Sequence, residues 1–458
     1  MKRTILTFAI ALFTTAAFAQ KQAPPPAGTP KAFAVPEIRR VDLPNGMKVR
    51  FVPYGSVPKA TVRLVVQTGN ADEAANEIWL SDLAASLIEQ GTATRGPEQI
   101  AREVALMGGS LDVRTTTNQI IVESDVFSES APAAVNLIAD VVRNPRFPES
   151  ELARLKDDLL RNLSIQRSTP QAAAQDRFLS VLYPNHAYGR IFPTEEMLRG
   201  FTLEQTRGFY ERNVGAARSF VYVVGRFDQA AVESAIRNAF GGWKSGNAPS
   251  RVTVTPVAKR AVHFIERPGA VQSTLLIGLP VINPTHNEYL PLTVMNSLLG
   301  GSFGSRITSN IREQKGYTYS PQGTIDARLG DAYWAELADV TTNVTGASIK
   351  EILFEIERLR SEPPSAAELT GIQNLVAGTF VLRNSSRAGI ANQLATLDLH
   401  GLSEDYLRTY VQRVYALTPA DIQRMAQTYI DPARLAIVVV GDPAVVREQI
   451  KTYGEIVQ

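Results

Sequence analysis

The sequence predicts an α+β protein made of two homologous halves, and three observations carry that reading. Thr202 to Gly225 matches Thr418 to Gly441 at a constant offset of 216, each with a Thr-initiated helix, an Arg (Arg218, Arg434), a buried strand and a Val-Val-Gly end. Glu151-Leu152 and Glu368-Leu369 open similar helices at an offset of 217. Within each half the apolar period switches between 2 and 3.6, so mixed helices and short strands alternate. Such a pattern implies helices packed on one face of a largely antiparallel sheet in each half.

In chain order, residues 20–37 form a Pro-rich linker containing Pro24-Pro25-Pro26, Gly28, Pro30 and Pro36. Regular structure is expected from near Ile38. Asn45-Gly46 lies between two strand-like runs in Leu43-Pro-Asn-Gly-Met-Lys-Val-Arg-Phe51, a hairpin signal. Ala60 to Thr68 reads as a further strand. From Ile78 the period becomes helical, with Leu80, Leu83, Ala84, Leu87 and Ile88 on one face. Pro97 to Met107 reads as a second helix stopped by Gly108-Gly109, and Ser110 to Phe127 as paired strands. Helices follow from Ala131 to Gln166, broken by Pro145 and Pro148, before the Phe220–Val224 strand. The domain expectation is 38–245, a linker over 246–260 rich in Ser, Gly, Asn and Pro, and 261–458.

The N-terminus reads as a processing signal. Lys2-Arg3 precedes an apolar run from Ile5 to Phe13, and Ala17-Phe18-Ala19 before Gln20 fits small-residue cleavage. A periplasmic or secreted location follows as an expectation. No later run approaches about 18 uninterrupted apolar residues, so an integral membrane protein is not expected. The chain has no cysteine, hence no disulfide framework. Removing residues 1–19 takes Lys2 and Arg3 from the 47 basic residues and leaves the 45 acidic ones balanced. A balanced surface argues against nucleic acid as a partner.

Seven features occur in order: Leu43-Pro-Asn-Gly-Met, Thr68-Gly69, the helix ending Gly91-Thr92, Pro145-Arg-Phe-Pro, Tyr188-Gly189, Leu299-Gly-Gly-Ser-Phe-Gly-Ser-Arg306 and Ile311-Arg-Glu-Gln-Lys-Gly-Tyr-Thr-Tyr319. With the duplicated halves, they resemble the pitrilysin, insulinase and mitochondrial-processing-peptidase family, the inverzincins. The resemblance spans roughly residues 38–455. It implies a duplicated metalloprotease-like fold and a chemistry in which H-x-x-E-H on one helix, with a later Glu, holds zinc and a general base.

Here that chemistry has gone. The two His positions hold Asp82 and Ser86, the base position holds Ala85, and the downstream ligand position falls on Asn162. His186, His263, His286 and His400 are scattered, and neither H-x-x-E-H nor H-E-x-x-H occurs anywhere. The resemblance therefore implies no zinc in this chain, with zinc expected in a partner. Arg312 and Tyr319 match an Arg and a Tyr, seven residues apart, that reach toward substrate in the family. A guanidinium and a phenol are donors for a peptide carbonyl or an oxyanion. The structural alternative is an Arg balancing Glu313 and a Tyr packed in a strand. Gly300-Gly301-Ser302-Phe303-Gly304 lacks the Lys-Ser/Thr of a phosphate loop and reads as a tight turn approaching the opposite half.

The reading that follows is a non-catalytic subunit of a heteromeric zinc endopeptidase, giving Arg312 and Tyr319 to a homologous partner that carries H-x-x-E-H and acting on peptides. The alternative is a zinc-free peptide-binding or scaffold homologue, and a homodimer stays open. An independent hydrolase finds no support in a nucleophile: there is no Cys and no G-x-S-x-G elbow.

Overall fold

A computed structural model describes residues 34–249 and 253–457. The expected leader and most of the Pro-rich segment lie outside the described residues.

The first six strands are β1 (Arg39–Asp42), β2 (Lys48–Pro53), β3 (Lys59–Val66), β4 (Asp112–Thr115), β5 (Ile120–Phe127) and β6 (Ser219–Gly225). They form one sheet in the order β1-β2-β6-β3-β5-β4, antiparallel throughout except for β2 beside β6. The next six are β7 (Ala261–Glu266), β8 (Gln272–Val281), β9 (Gln322–Arg328), β10 (Asp331–Thr341), β11 (Ala436–Gly441) and β12 (Ile456–Val457). Their order is β12-β7-β11-β8-β10-β9, which repeats five strands of the first sheet with β7 parallel to β11; the edge differs, since β12 comes from the C-terminal end and runs parallel to β7, whereas β1 is antiparallel to β2.

The helices of the first half are α1 (Leu80–Ile88), α2 (Pro97–Leu106), α3 (Ala131–Arg143), α4 (Glu149–Arg167), α5 (Pro170–Leu182), α6 (Glu195–Gly200), α7 (Leu203–Asn213) and α8 (Gln229–Phe240). Those of the second are α9 (Tyr289–Leu299), α10 (Arg306–Thr308), α11 (Thr345–Ser361), α12 (Ala366–Arg383), α13 (Arg387–His400), α14 (Asp405–Tyr415), α15 (Pro419–Tyr429) and α16 (Pro443–Ile450). Among the described residues no helix is long and apolar enough to cross a membrane.

Local chemistry explains the elements. Gly46 adopts φ 93° in the β1–β2 turn, a conformation open to glycine, while the Leu43 amide donates to the Met47 carbonyl at 2.8 Å. Thr202 and Thr418 cap α7 and α15, their hydroxyls accepting from the Gln205 and Asp421 amides and those side chains accepting in return. In α1 the expected stripe of Leu80, Leu83, Ala84, Leu87 and Ile88 is buried. It joins a first-half core with Val62, Leu64, Val122 and Val223 from the sheet and Val135 and Ile138 from α3. A second core gathers Ile277, Leu279 and Trp334 with α9, α11 and α15.

The expectation of helices on one sheet face needs a correction. Each sheet's other face is covered by a helix from the opposite half. Ala174, Phe178, Leu179 and Leu182 of α5 pack on Leu276, Tyr333, Val438 and Val440 of the second sheet. Reciprocally, α13 lies on β3 and β6, where Asn392 accepts from Arg63 at 2.5 Å and Asp398 accepts from Tyr222 and Arg50. Periodicity within one half cannot reveal a partner helix supplied by the other.

Candidate functional site

The helix that carries Asp82, Ala85 and Ser86, three of the four positions the resemblance singles out, is anchored from its N-terminal side. Trp79 caps α1 in a left-handed conformation, φ 70°, uncommon for a bulky residue. Glu73 compensates: its carboxylate accepts the Trp79 and Ser81 amides, each at 2.9 Å, and the Ser81 hydroxyl. It thereby satisfies N–H groups that a helix start leaves without partners. Asn70 donates to Asp82 at 2.7 Å and to the Ser81 hydroxyl at 3.0 Å.

Burial dominates the electrostatics here. It pushes the Glu73 carboxyl up to about 8, with the Ser81 hydroxyl opposing and the Asp82 charge adding to the rise. Asp82 is raised to about 6, again by burial, with the Asn70 hydrogen bond opposing. Glu89, two turns along α1, rises to about 7 through burial and the nearby Asp112. Neither Glu73 nor Glu89 stands out in the sequence, because a lone Glu in a loop or on a helix carries no periodic signal.

Ser86 is half-buried on α1, one turn after Asp82. Ala85 is buried and borders a small apolar cavity of about 10 Å³ shared with Val66, Ile88, Val142 and Tyr210, whose hydroxyl is buried without a hydrogen-bond partner among the described residues. Asn162 is exposed on α4, which packs against α1.

The second half presents a different site. The Gly300–Gly304 segment leads into α10 and a π-helical turn, Ser309–Gln314, which carries Arg312. Single π-turns inside helices recur at functional positions. The Arg312 guanidinium lies 4.1 Å from the Phe303 ring centroid and 5.3 Å from that of Tyr319, and its Nη1 is 3.0 Å from Glu313. Tyr319 is 82% exposed and belongs to no strand, so it is not the packed tyrosine of the structural alternative. The cleft they share has a volume of about 250 Å³ and is also lined by Gly300, Gly301, Pro321 and Gln322. Phe303, not singled out in the sequence, was visible there as an aromatic inside a glycine-rich turn.

The glycines serve an approach within their own half, not toward the opposite one. A Cβ at Gly300 would stand 2.1 Å from Glu336 Oε2, and one at Gly323 would stand 2.7 Å from it. Glu336 is fully buried on β10, and neither carboxyl oxygen has a partner among the described residues. Burial drives it well above the usual carboxylate range, so it is held neutral.

Two family profiles cover most of this architecture: the one described as Insulinase (Peptidase family M16) matches residues 54–193, and the one described as Peptidase M16 inactive domain matches residues 200–376. This chain belongs to the insulinase family, peptidase family M16. M16 relatives include an uncharacterized zinc protease of Mycobacterium leprae, 28% identical over 293 residues, 63% of this chain and 65% of that protein. The chain thus spans just under two thirds of that relative. An uncharacterized zinc protease of Mycobacterium bovis is 25% identical over 359 residues, 77% of this chain and 79% of its own length. The fold matches a peptidase M16 inactive domain from Pseudomonas fluorescens with a TM-score of 0.83, at 21% identity over 88% of this chain and 98% of that one. It also matches a protease from Helicobacter pylori with a TM-score of 0.84, at 18% identity over 89% and 100%.

The residues that the resemblance sets at the zinc positions do not together offer a zinc ligand set. Asp82 offers one carboxylate already engaged by Asn70, Ser86 a neutral hydroxyl, and Asn162 an exposed amide. Ala85 has no proton acceptor. Among the described residues no group of three or more His, Cys, Asp or Glu could hold a metal ion.

Proposed function

We propose that this chain is the non-catalytic subunit of a heteromeric zinc endopeptidase of the insulinase type, working in the periplasm or outside the cell. In this reading it helps to hold an extended peptide, and Arg312 and Tyr319 reach a substrate bound at a partner chain that carries H-x-x-E-H and the zinc. The carrying observation is the contrast between the two halves. In this reading the first half has neither metal donors nor base at the positions the family uses, whereas the second has a guanidinium 4.1 Å from the Phe303 ring centroid and 5.3 Å from that of an exposed Tyr319 at an open cleft. An arginine already oriented loses less entropy when it takes a carbonyl or oxyanion.

The test is to isolate the tagged chain from its native source and identify stoichiometric partners by quantitative mass spectrometry. A homologue bearing H-x-x-E-H at roughly equal amount is expected. Arg312→Ala and Tyr319→Phe should then lower peptide turnover of the assembly while its zinc content stays the same. Unchanged cleavage in both variants would remove the assigned role.

One observation favours the alternative of a zinc-free peptide-binding or scaffold homologue. Among the described residues β4 pairs only with β5, leaving an edge beside α1, where Thr115 donates to the Ser81 carbonyl at 3.3 Å. An extended peptide could add along that edge. Peptide binding without cleavage by the native assembly would select this reading.

A further inference from the structure

The duplication makes α4 and α12 structural equivalents, at the same offset of 217 and packed on the equivalent helices α1 and α9. Their outward faces differ in kind. On α4, Arg154 bridges Glu151 at 2.8 Å and Asp158 at 3.0 Å, and Arg161 pairs with Asp158 too, giving a solvated ion ladder. At the matching positions α12 has Gly371 for Arg154, Leu375 for Asp158 and Gly378 for Arg161, with Leu382 where α4 has Ile165. Leu375 is 47% exposed and Leu382 is 73% exposed. A Cβ at either glycine would meet nothing within 4 Å. The inner side of α12 is already occupied: Leu369, Ile372, Ala377 and Phe380 are buried.

At 3.6 residues per turn these four residues fall within about 60° of arc. Their order is its own complement. When two copies of α12 meet antiparallel about a two-fold axis midway between positions 376 and 377, Leu375 faces Gly378 of the second copy and Leu382 faces Gly371. Each leucine thus enters the space left by a glycine, and each contact occurs twice, as a two-fold interface requires. Charge agrees with this register. The first turn carries Glu368 and the last turn Arg383, and the two lie on one flank of the helix. Antiparallel pairing sets Arg383 of each copy against the turn bearing Glu368 of the other, where Glu368 already holds Arg306 at 2.7 Å. The opposed helix dipoles add to the preference.

We propose that this face of α12 is a docking surface for a second copy of the chain, joined as an antiparallel two-fold helix pair. The proposal does not rest on the heteromeric reading: it joins two copies whether or not each also binds a peptidase partner.

The chain has no cysteine, which makes the register directly testable. In the pair, position 375 lies only three residues from its own copy along the axis, about 4.5 Å, whereas position 382 lies about 16 Å from its copy. Leu375→Cys is therefore expected to cross-link on mild oxidation and Leu382→Cys to stay uncoupled. A mixture of Gly371→Cys and Leu382→Cys chains should link to each other. Ile165→Cys, on the equivalent helix of the first half and more exposed than Leu375, should not link. Sedimentation equilibrium of the purified chain should show a dimer that Gly378→Arg and Leu375→Asp each dissolve, with circular dichroism unchanged. A monomer at every concentration, a dimer indifferent to both substitutions, or linking at position 165 as efficient as at 375 would each overturn the proposal.

Discussion

Asp398, on a helix of the second half, accepts a hydrogen bond at 2.9 Å from the Tyr222 hydroxyl in the centre of the first-half sheet. The same carboxylate accepts from the buried Arg50 guanidinium at 3.0 Å. Burial and the adjacent Asp398 hold the phenol protonated far above its ordinary range. Asp398→Ala leaves the buried Tyr222 hydroxyl without its acceptor and removes the nearer carboxylate partner of Arg50, whose other one, Asp42, stands 3.8 Å away. It is expected to cost roughly 3–5 kcal/mol in urea unfolding, whereas Asp398→Asn, which keeps an acceptor, should cost less.

The pair of raised carboxyls beside α1 sets a pH dependence. Glu73 is held near 8 in the folded protein against an ordinary 4.5, so between these values the folded state binds a proton that the unfolded state has released. The contribution is complete below about 4.5 and disappears as pH rises through 8, on the order of 3–5 kcal/mol in all. Stability is therefore expected to fall from pH 5 to 8, with Asp82 contributing in the same direction up to about 6. Glu73→Gln should flatten the slope in denaturation curves recorded across that range.

Gly300 and Glu336 should behave as one unit. Gly300→Ala places a methyl against the Glu336 carboxyl and is expected to cost about 1–3 kcal/mol. Truncating Glu336 to Ala in the same chain makes room for it, so the double-mutant cycle should show a favourable coupling above about 1 kcal/mol. Additive single effects would show that the slot is not shared.

Phe303 holds Arg312 by its ring face. Phe303→Ala should leave global stability within about 1 kcal/mol. It should nevertheless expose the guanidinium, read as faster, site-resolved glyoxal labelling of Arg312 with labelling elsewhere unchanged.

Much of the fold was legible because local chemistry and tertiary context agree. The Asn45-Gly46 turn, the α1 stripe, the stop at Gly108 (φ 77°) and the capped helices at Thr202 and Thr418 all sit where their residues predict. The internal offset disclosed two equivalent sheets, and the family resemblance holds. What stayed hidden is set by distant partners. Arg63 reads as a polar interruption in a strand, yet it is buried because Glu123 and Asn392 bind it, the latter from the opposite half. Glu73 gives no pattern, since its role comes from two backbone amides whose position depends on the left-handed Trp79. Glu336 alternates correctly for an inward-facing strand residue, but with the wrong polarity, and only the two glycines explain the space it occupies.

The exchange of α5 and α13 has a further consequence. Each half covers one sheet face of its neighbour, so each half on its own would expose a face that the other now buries. The peptide connecting them is then the least necessary bond in the molecule. Severed near Pro249, the two fragments should remain clasped through gel filtration, and separately made fragments should rescue each other's solubility on mixing. Two genes could replace the one without altering the architecture.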